Sequence, residues 1–155
     1  MGIVHANDEL VARAWLKSLG LSNVGTTVPQ NKASWSAEGF VQITVTGDSS
    51  HKYYRLRRPV ITAVCWAVNP ALNDSPHKNM QSQTPPWGKA CDLAETVAEG
   101  CWGFTPDVLS LGVAGAPRAR TLQARIIQPP RRVPGDEGEY ARYTVDFELV
   151  WNQTE

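Results

Sequence analysis

The chain has 155 residues, 42% of them hydrophobic and 19% charged, which is one domain's worth of ordinary globular composition and excludes wholesale disorder. Fifteen basic side chains against fifteen acidic ones give a formal net charge of zero, which removes the usual electrostatic case for a non-specific nucleic-acid or membrane-surface binder. Cys65, Cys91 and Cys101 are odd in number and lack C-x-x-C spacing, excluding a disulfide framework and a zinc site. No stretch approaches the roughly 18 apolar residues of a membrane span, so a soluble, unprocessed protein of a reduced cytosol is expected.

Asn7 or Asp8 can cap a first helix, with Leu10, Val11, Ala14, Trp15 and Leu19 on one stripe and Gly20 as its left-handed end. Val24, Thr26 and Val28 alternate before Pro29 and suit a short strand, and the polar run from Gln30 to Gly39 reads as a loop. Phe40 to Thr46 is rich in β-branched residues and stops at Gly47-Asp48-Ser49-Ser50. With the extended stretch from Tyr53 to Val68 it forms a hairpin, in which Pro59 interrupts the ladder. Beyond Pro59 both sets of alternating residues are apolar, so this strand is expected to be central and covered on both sides.

Asn69 to Pro86 holds Pro70, Pro76, Pro85 and Pro86 among polar residues and has no periodicity, so it is expected to be a long loop, of a length that usually has a functional reason. A second helix is predicted from Trp87 or Gly88 to about Cys101. Its small apolar stripe is Ala90, Leu93, Ala94, Val97, Ala98 and Cys101. Gly103 to Pro117 carries one apolar patch that fits either an irregular strand or an interface segment. Thr121 to Gln128 is a strand, Pro129 to Gly138 a turn region, and Tyr140 to Trp151 a long strand with one apolar face and one face, bearing Arg142, Thr144, Asp146 and Glu148, that is wet or meets a polar partner. The order predicts one α+β domain over residues 1–155: a mixed or antiparallel sheet of about four to five strands flanked by two helices, with a long loop at 69–86.

Chemistry is sparse in this pattern. His5, His51 and His77 fall in a terminal segment, a hairpin turn and the long loop, where surface histidine is the simpler reading than a base. No nucleophile elbow, zinc-protease or Walker signature occurs, and Gly112-Val113-Ala114-Gly115 lacks the following Lys-Ser/Thr. Asp92, Glu95 and Glu99 align on the second helix, where a solvated face is the simpler reading than a cation site. Cys91 and Cys101 read as small core residues. The expectation is therefore no enzyme, no catalytic residue, no metal and no cofactor.

Two basic groups stand out: Lys52, Arg55, Arg57 and Arg58 on the hairpin's second arm, and Arg118, Arg120, Arg125, Arg131 and Arg132 around the later strand. If those strands are adjacent the arginines form one patch, fit for an acidic protein surface or passing DNA; otherwise they are scattered surface charge. Among six tryptophans, Trp15, Trp66 and Trp151 read as core. Trp35, Trp87 and Trp102 lie in or beside loops and are expected to be buried against the fold or against a neighbouring subunit.

Asp8-Glu9-Leu10-Val11 with Trp15-Leu16, Val28-Pro29, Phe40-Val41-Gln42-Ile43-Thr44-Val45, Arg58-Pro59-Val60-Ile61 leading to Val64-Cys65-Trp66-Ala67, and Ala90-Cys91-Asp92-Leu93-Ala94 together resemble the tail terminator proteins of long-tailed bacteriophages of actinobacteria. Gln128-Pro129-Pro130 and Arg142-Tyr143-Thr144-Val145-Asp146-Phe147-Glu148-Leu149 extend the likeness over nearly the whole chain, while the loop at 69–86 is longer than the family pattern. The resemblance implies a structural virion protein of the tail neck, assembled in the host cytoplasm. It implies a hexameric ring of the chain with itself, which caps the major tail tube protein, stops tube growth and meets a head-tail connector or head-closure protein. DNA passes through the lumen without specific binding, and no membrane is involved. Partner contacts are expected at Asp48, Ser49, Arg55 and Arg57 of the hairpin, at Asn73, Asp74, His77 and Lys78 of the long loop, and at Trp87. The competing readings are another neck component, a head-closure or tail-completion protein, and a nucleic-acid-binding module.

Overall fold

In the computed structural model, which describes residues 5–31, 34–48, 56–68, 86–134 and 140–154, the chain opens with helix α1, Asp8–Ser18. The Asn7 side chain accepts from the Leu10 N–H at 2.8 Å, satisfying one of the donors a helix start leaves open. Asp8 and Glu9 in the first turn and Lys17 in the last complement the helix dipole. Gly20, at φ 98°, then turns the chain away.

The strands are β1 (Val24–Gly25), β2 (Phe40–Asp48), β3 (Pro59–Val68), β4 (Asp107–Leu109), β5 (Arg118–Arg132) and β6 (Tyr140–Thr154), with helix α2 (Trp87–Trp102) between β3 and β4. They form one sheet in the order β1-β2-β3-β6-β5-β4, parallel between β1 and β2 and antiparallel elsewhere. The class is α+β as the periodicities imply, with six strands in place of the expected four to five. The difference comes from one edge: the short strand expected at Val24 is β1, whereas three-residue β4, in the stretch that fitted either a strand or an interface segment, is too short for alternation to reveal.

Three further expectations are corrected. Pro59 opens β3 instead of interrupting a longer strand, although Arg57 still bridges Trp151 in the same register, with N···O distances of 2.9 and 3.0 Å. Pro129 and Pro130 lie within β5 and not in a turn. β4 pairs only with residues 119–121, so farther along β5 has no outer ladder partner among the described residues, and register shifts between Ile126 and Arg131 absorb the prolines' missing N–H groups.

The cover of β3 also differs from that expected. It is central, but both helices pack on one face of the sheet. Val11, Ala12, Trp15 and Leu16 of α1 and Ala94, Val97 and Cys101 of α2 share one core with Ile61, Ala63, Cys65, Val145, Phe147, Leu149 and Trp151. On the other face Val60, Thr62, Val64 and Trp66 are only half-buried. There a smaller cluster of Trp35, Phe40 and Val68, with Val28, Trp66 and Tyr140 against it, covers one end of the sheet. Trp35 is thus buried within its own fold, its indole N–H donating to the Pro29 carbonyl at 3.1 Å.

Candidate functional site

Antiparallel partners project to the same side of a sheet, so the register identifies what the face away from the helices carries. Glu148 lies opposite Arg125, Asp146 opposite Gln128, Thr144 opposite Arg131 and Asn152 opposite Arg120. Thr62 of β3 lies opposite Asp146 on the other flank of β6. Of the two basic groups of the sequence, Arg58 on one flank of β6 and Arg118, Arg120, Arg125 and Arg131 on the other lie on this face.

The carboxylates of β6 hold this face together. Arg125 Nε donates to Glu148 Oε1 at 3.2 Å, and Arg58 Nε stands 4.0 Å from the same oxygen. Arg131 donates to Asp146 at 3.0 Å, and the Thr62 hydroxyl donates to its other oxygen at 2.7 Å. Farther along, the Trp66 indole N–H donates to Gln42 at 3.1 Å and the Arg142 guanidinium lies 5.1 Å from the Trp66 ring centroid. Exposed ion pairs contribute at most about 1 kcal/mol. Glu148 differs because its side chain is 8% exposed, so loss of its arginine partners leaves a charge both buried and uncompensated. Arg118 and Arg120, exposed on the same face, have no ion-pair partner among the described residues. Arginine therefore exceeds carboxylate on this surface although the chain as a whole is neutral.

Of the residues expected to meet partners, Arg57 lies on the helix side of the sheet with its side chain still exposed. Its guanidinium donates to Asp8 Oδ2 at 3.2 Å while the Trp151 indole N–H donates to Asp8 Oδ1 at 2.9 Å. One carboxylate in the first turn of α1 thus ties helix, strand β6 and the bridge segment together, which makes Arg57 a structural clamp. Trp87 is half-buried, edge-on to Tyr143 with centroids 6.2 Å apart, and the Arg132 guanidinium lies 4.2 Å from its ring centroid. Asp48 ends β2, its backbone opposite Pro59. Ser49, Arg55, Asn73, Asp74, His77 and Lys78, with most of the loop at 69–86, lie outside the described residues. Alternation along β6 marks its polar face in the sequence. The pairing of Asp146 and Glu148 with arginines distant in sequence depends on a strand order that one strand's pattern does not contain.

The outward stripe of α2 has Asp92, Glu95 and Glu99 exposed, ending at Trp102, 67% exposed and unlike Trp35 and Trp87 left outside the fold. A groove of about 430 Å³ runs between the end of α1 and α2, lined by Ser22, Asn23, Glu38, Lys89, Asp92 and Thr96. Its hydroxyls are already engaged: Ser22 donates to Glu38 and Thr96 to the Asp92 carbonyl. No group of three or more His, Cys, Asp or Glu among the described residues is placed to hold a metal ion. No helix among them is long and apolar enough to cross a membrane.

Burial pushes the thiols of Cys65 and Cys101 from 9.0 up to about 12, because a thiolate there has lost its water. The folded state thus disfavours deprotonation: the thiols' contribution to stability is complete below about pH 9 and is lost as pH rises towards 12. At pH 8 a thiol-reactive disulfide reagent is expected to titrate only half-buried Cys91 in the folded protein and all three cysteines in denaturant. Prompt reaction of all three without denaturant would contradict this packing.

The sequence matches no protein-family model and no curated protein.

Proposed function

We propose that this chain is a structural protein of the phage tail neck, which closes as a hexameric ring on the head-proximal end of the tail tube, stops tube polymerisation and forms the surface that the head connector meets. The observation that carries this reading is a braced, arginine-bearing sheet face on the side away from both helices, on which no helix of the described residues packs. Such a face suits assembly, since rigid charged side chains held by second partners lose little freedom on docking. The expected partners are further copies of the chain, the major tail tube protein and a connector or head-closure protein, with DNA crossing the lumen unbound and the protein resident in the virion. No cofactor has a role in this activity.

The test is to add purified protein to polymerising tail tube protein and follow light scattering and tube length. Growth is expected to stop at amounts far below one chain per tube subunit, because only tube ends are titrated. Unchanged growth at equimolar protein would overturn the reading.

A second reading is favoured by the convergence of Arg58, Arg118, Arg120, Arg125 and Arg131 on one face: a nucleic-acid-binding module recognising the phosphate backbone. It requires an affinity for duplex DNA that falls steeply with salt. Absence of a mobility shift at low ionic strength would remove it.

A further inference from the structure

We infer that the arginine-bearing sheet face docks onto the outward stripe of α2 on a second copy of the chain, so that copies associate head to tail. This rests on the ring reading and names the interface such a ring would use.

The first ground is charge complementarity. Arg118 and Arg120 project from the sheet face with no ion-pair partner among the described residues, and Arg125, though paired with Glu148, keeps a side chain 60% exposed. On α2, Asp92, Glu95 and Glu99 recur at the three- and four-residue spacing that puts them on one line, and all are exposed. Each surface carries an excess of one sign that the other offsets.

The second ground is Trp102, which continues the same line three residues beyond Glu99 and is 67% exposed. An exposed indole beside carboxylates is costly to leave in water, and guanidinium groups stack well on indoles. The sheet face supplies guanidinium groups for it, as Arg142 over Trp66 and Arg132 over Trp87 already do within the chain.

The third ground is geometry. From Asp92 to Trp102 the helix rises about 15 Å at 1.5 Å per residue. From Arg118 to Arg125 the basic line spans Thr154 to Glu148 of β6, about 20 Å at 3.3 Å per residue. The basic line is long enough to cover the acidic one, and they lie on opposite sides of the molecule, because the buried stripe of α2 packs on the far face of the same sheet. One patch therefore meets a different patch on the next copy, the heterologous arrangement that builds rings.

The test is sedimentation equilibrium of the full chain and two charge-reversed variants, Glu95→Lys/Glu99→Lys and Arg118→Glu/Arg120→Glu, each confirmed folded by its circular dichroism and melting curve. Arg125 is left alone because Glu148 depends on it. The wild-type chain is expected to self-associate, more weakly as salt rises. Each variant is expected to associate at least roughly tenfold more weakly, and an equimolar mixture to associate again, the unaltered sheet face of one variant on the unaltered helix of the other and the two reversed faces on each other. A wild-type chain monomeric at every concentration, variants that associate like the wild type, or no recovery in the mixture would each overturn the docking. So would loss of duplex DNA binding in Arg118→Glu/Arg120→Glu with self-association intact, which would assign the face to nucleic acid. Variants that still halt tube growth while associating normally would sink this interface and leave the capping function standing; association through these faces without any effect on tubes would do the reverse.

Discussion

Replacing Phe147 with alanine is expected to lower the unfolding free energy by about 3 to 5 kcal/mol, as measured by urea denaturation. Phe147 is fully buried on β6, opposite Ile61 on one side and Ile126 on the other, and its ring centroid is 5.2 Å from that of Trp15. The truncation removes the contact between the first helix and the middle of the sheet, and neighbours on three elements cannot all move in to fill the space. In a chain of this size the midpoint of thermal unfolding should fall by roughly 10 °C. A loss below about 1 kcal/mol, the range of surface substitutions, would mean that α1 does not pack there.

The second large effect belongs to Gly39, which precedes β2 at φ 81°. A β-carbon there would stand 2.6 Å from a Leu93 methyl and 2.8 Å from the Trp66 carbonyl oxygen. The methyl can swing aside, but the carbonyl belongs to central strand β3 and cannot. Gly39→Ala combines left-handed strain of about 1 to 2 kcal/mol with overpacking of about 1 to 3 kcal/mol. Gly20→Ala provides the control: φ is 98° and nothing lies within 4 Å of the added carbon, so only the strain of about 1 to 2 kcal/mol applies. Equal losses for the two in denaturant unfolding would contradict the close approach of β3 to residue 39.

Much of this architecture is legible in the amino-acid sequence. Asn7 as a cap, Gly20 as a stop, the small-residue stripe of α2 and the two-faced alternation of β6 follow from local periodicity, and each stands in the fold. What local patterns miss is long-range. Two consecutive apolar faces on β3 imply cover on both sides, yet half of that cover is a small cluster around Trp35 at one end and half-exposed valine and threonine elsewhere. Pro129 and Pro130 signal a turn unless the outer edge of the strand lacks a partner. Arg57 and Arg58 are adjacent in sequence and look alike, but strand alternation sends one to the Asp8 clamp and the other towards Glu148. The candidate surface shows the same division: its arginines are conspicuous in the chain, whereas the two carboxylates that brace them appear as partners only once β6 lies between β3 and β5.

The most direct test of the capping role is electron microscopy of tail tubes assembled with the purified chain present. Tubes are expected to carry one additional ring, with sixfold density, at a single end, and to have bare walls along their length. Tubes with both ends bare, or decorated along their sides, would contradict that role.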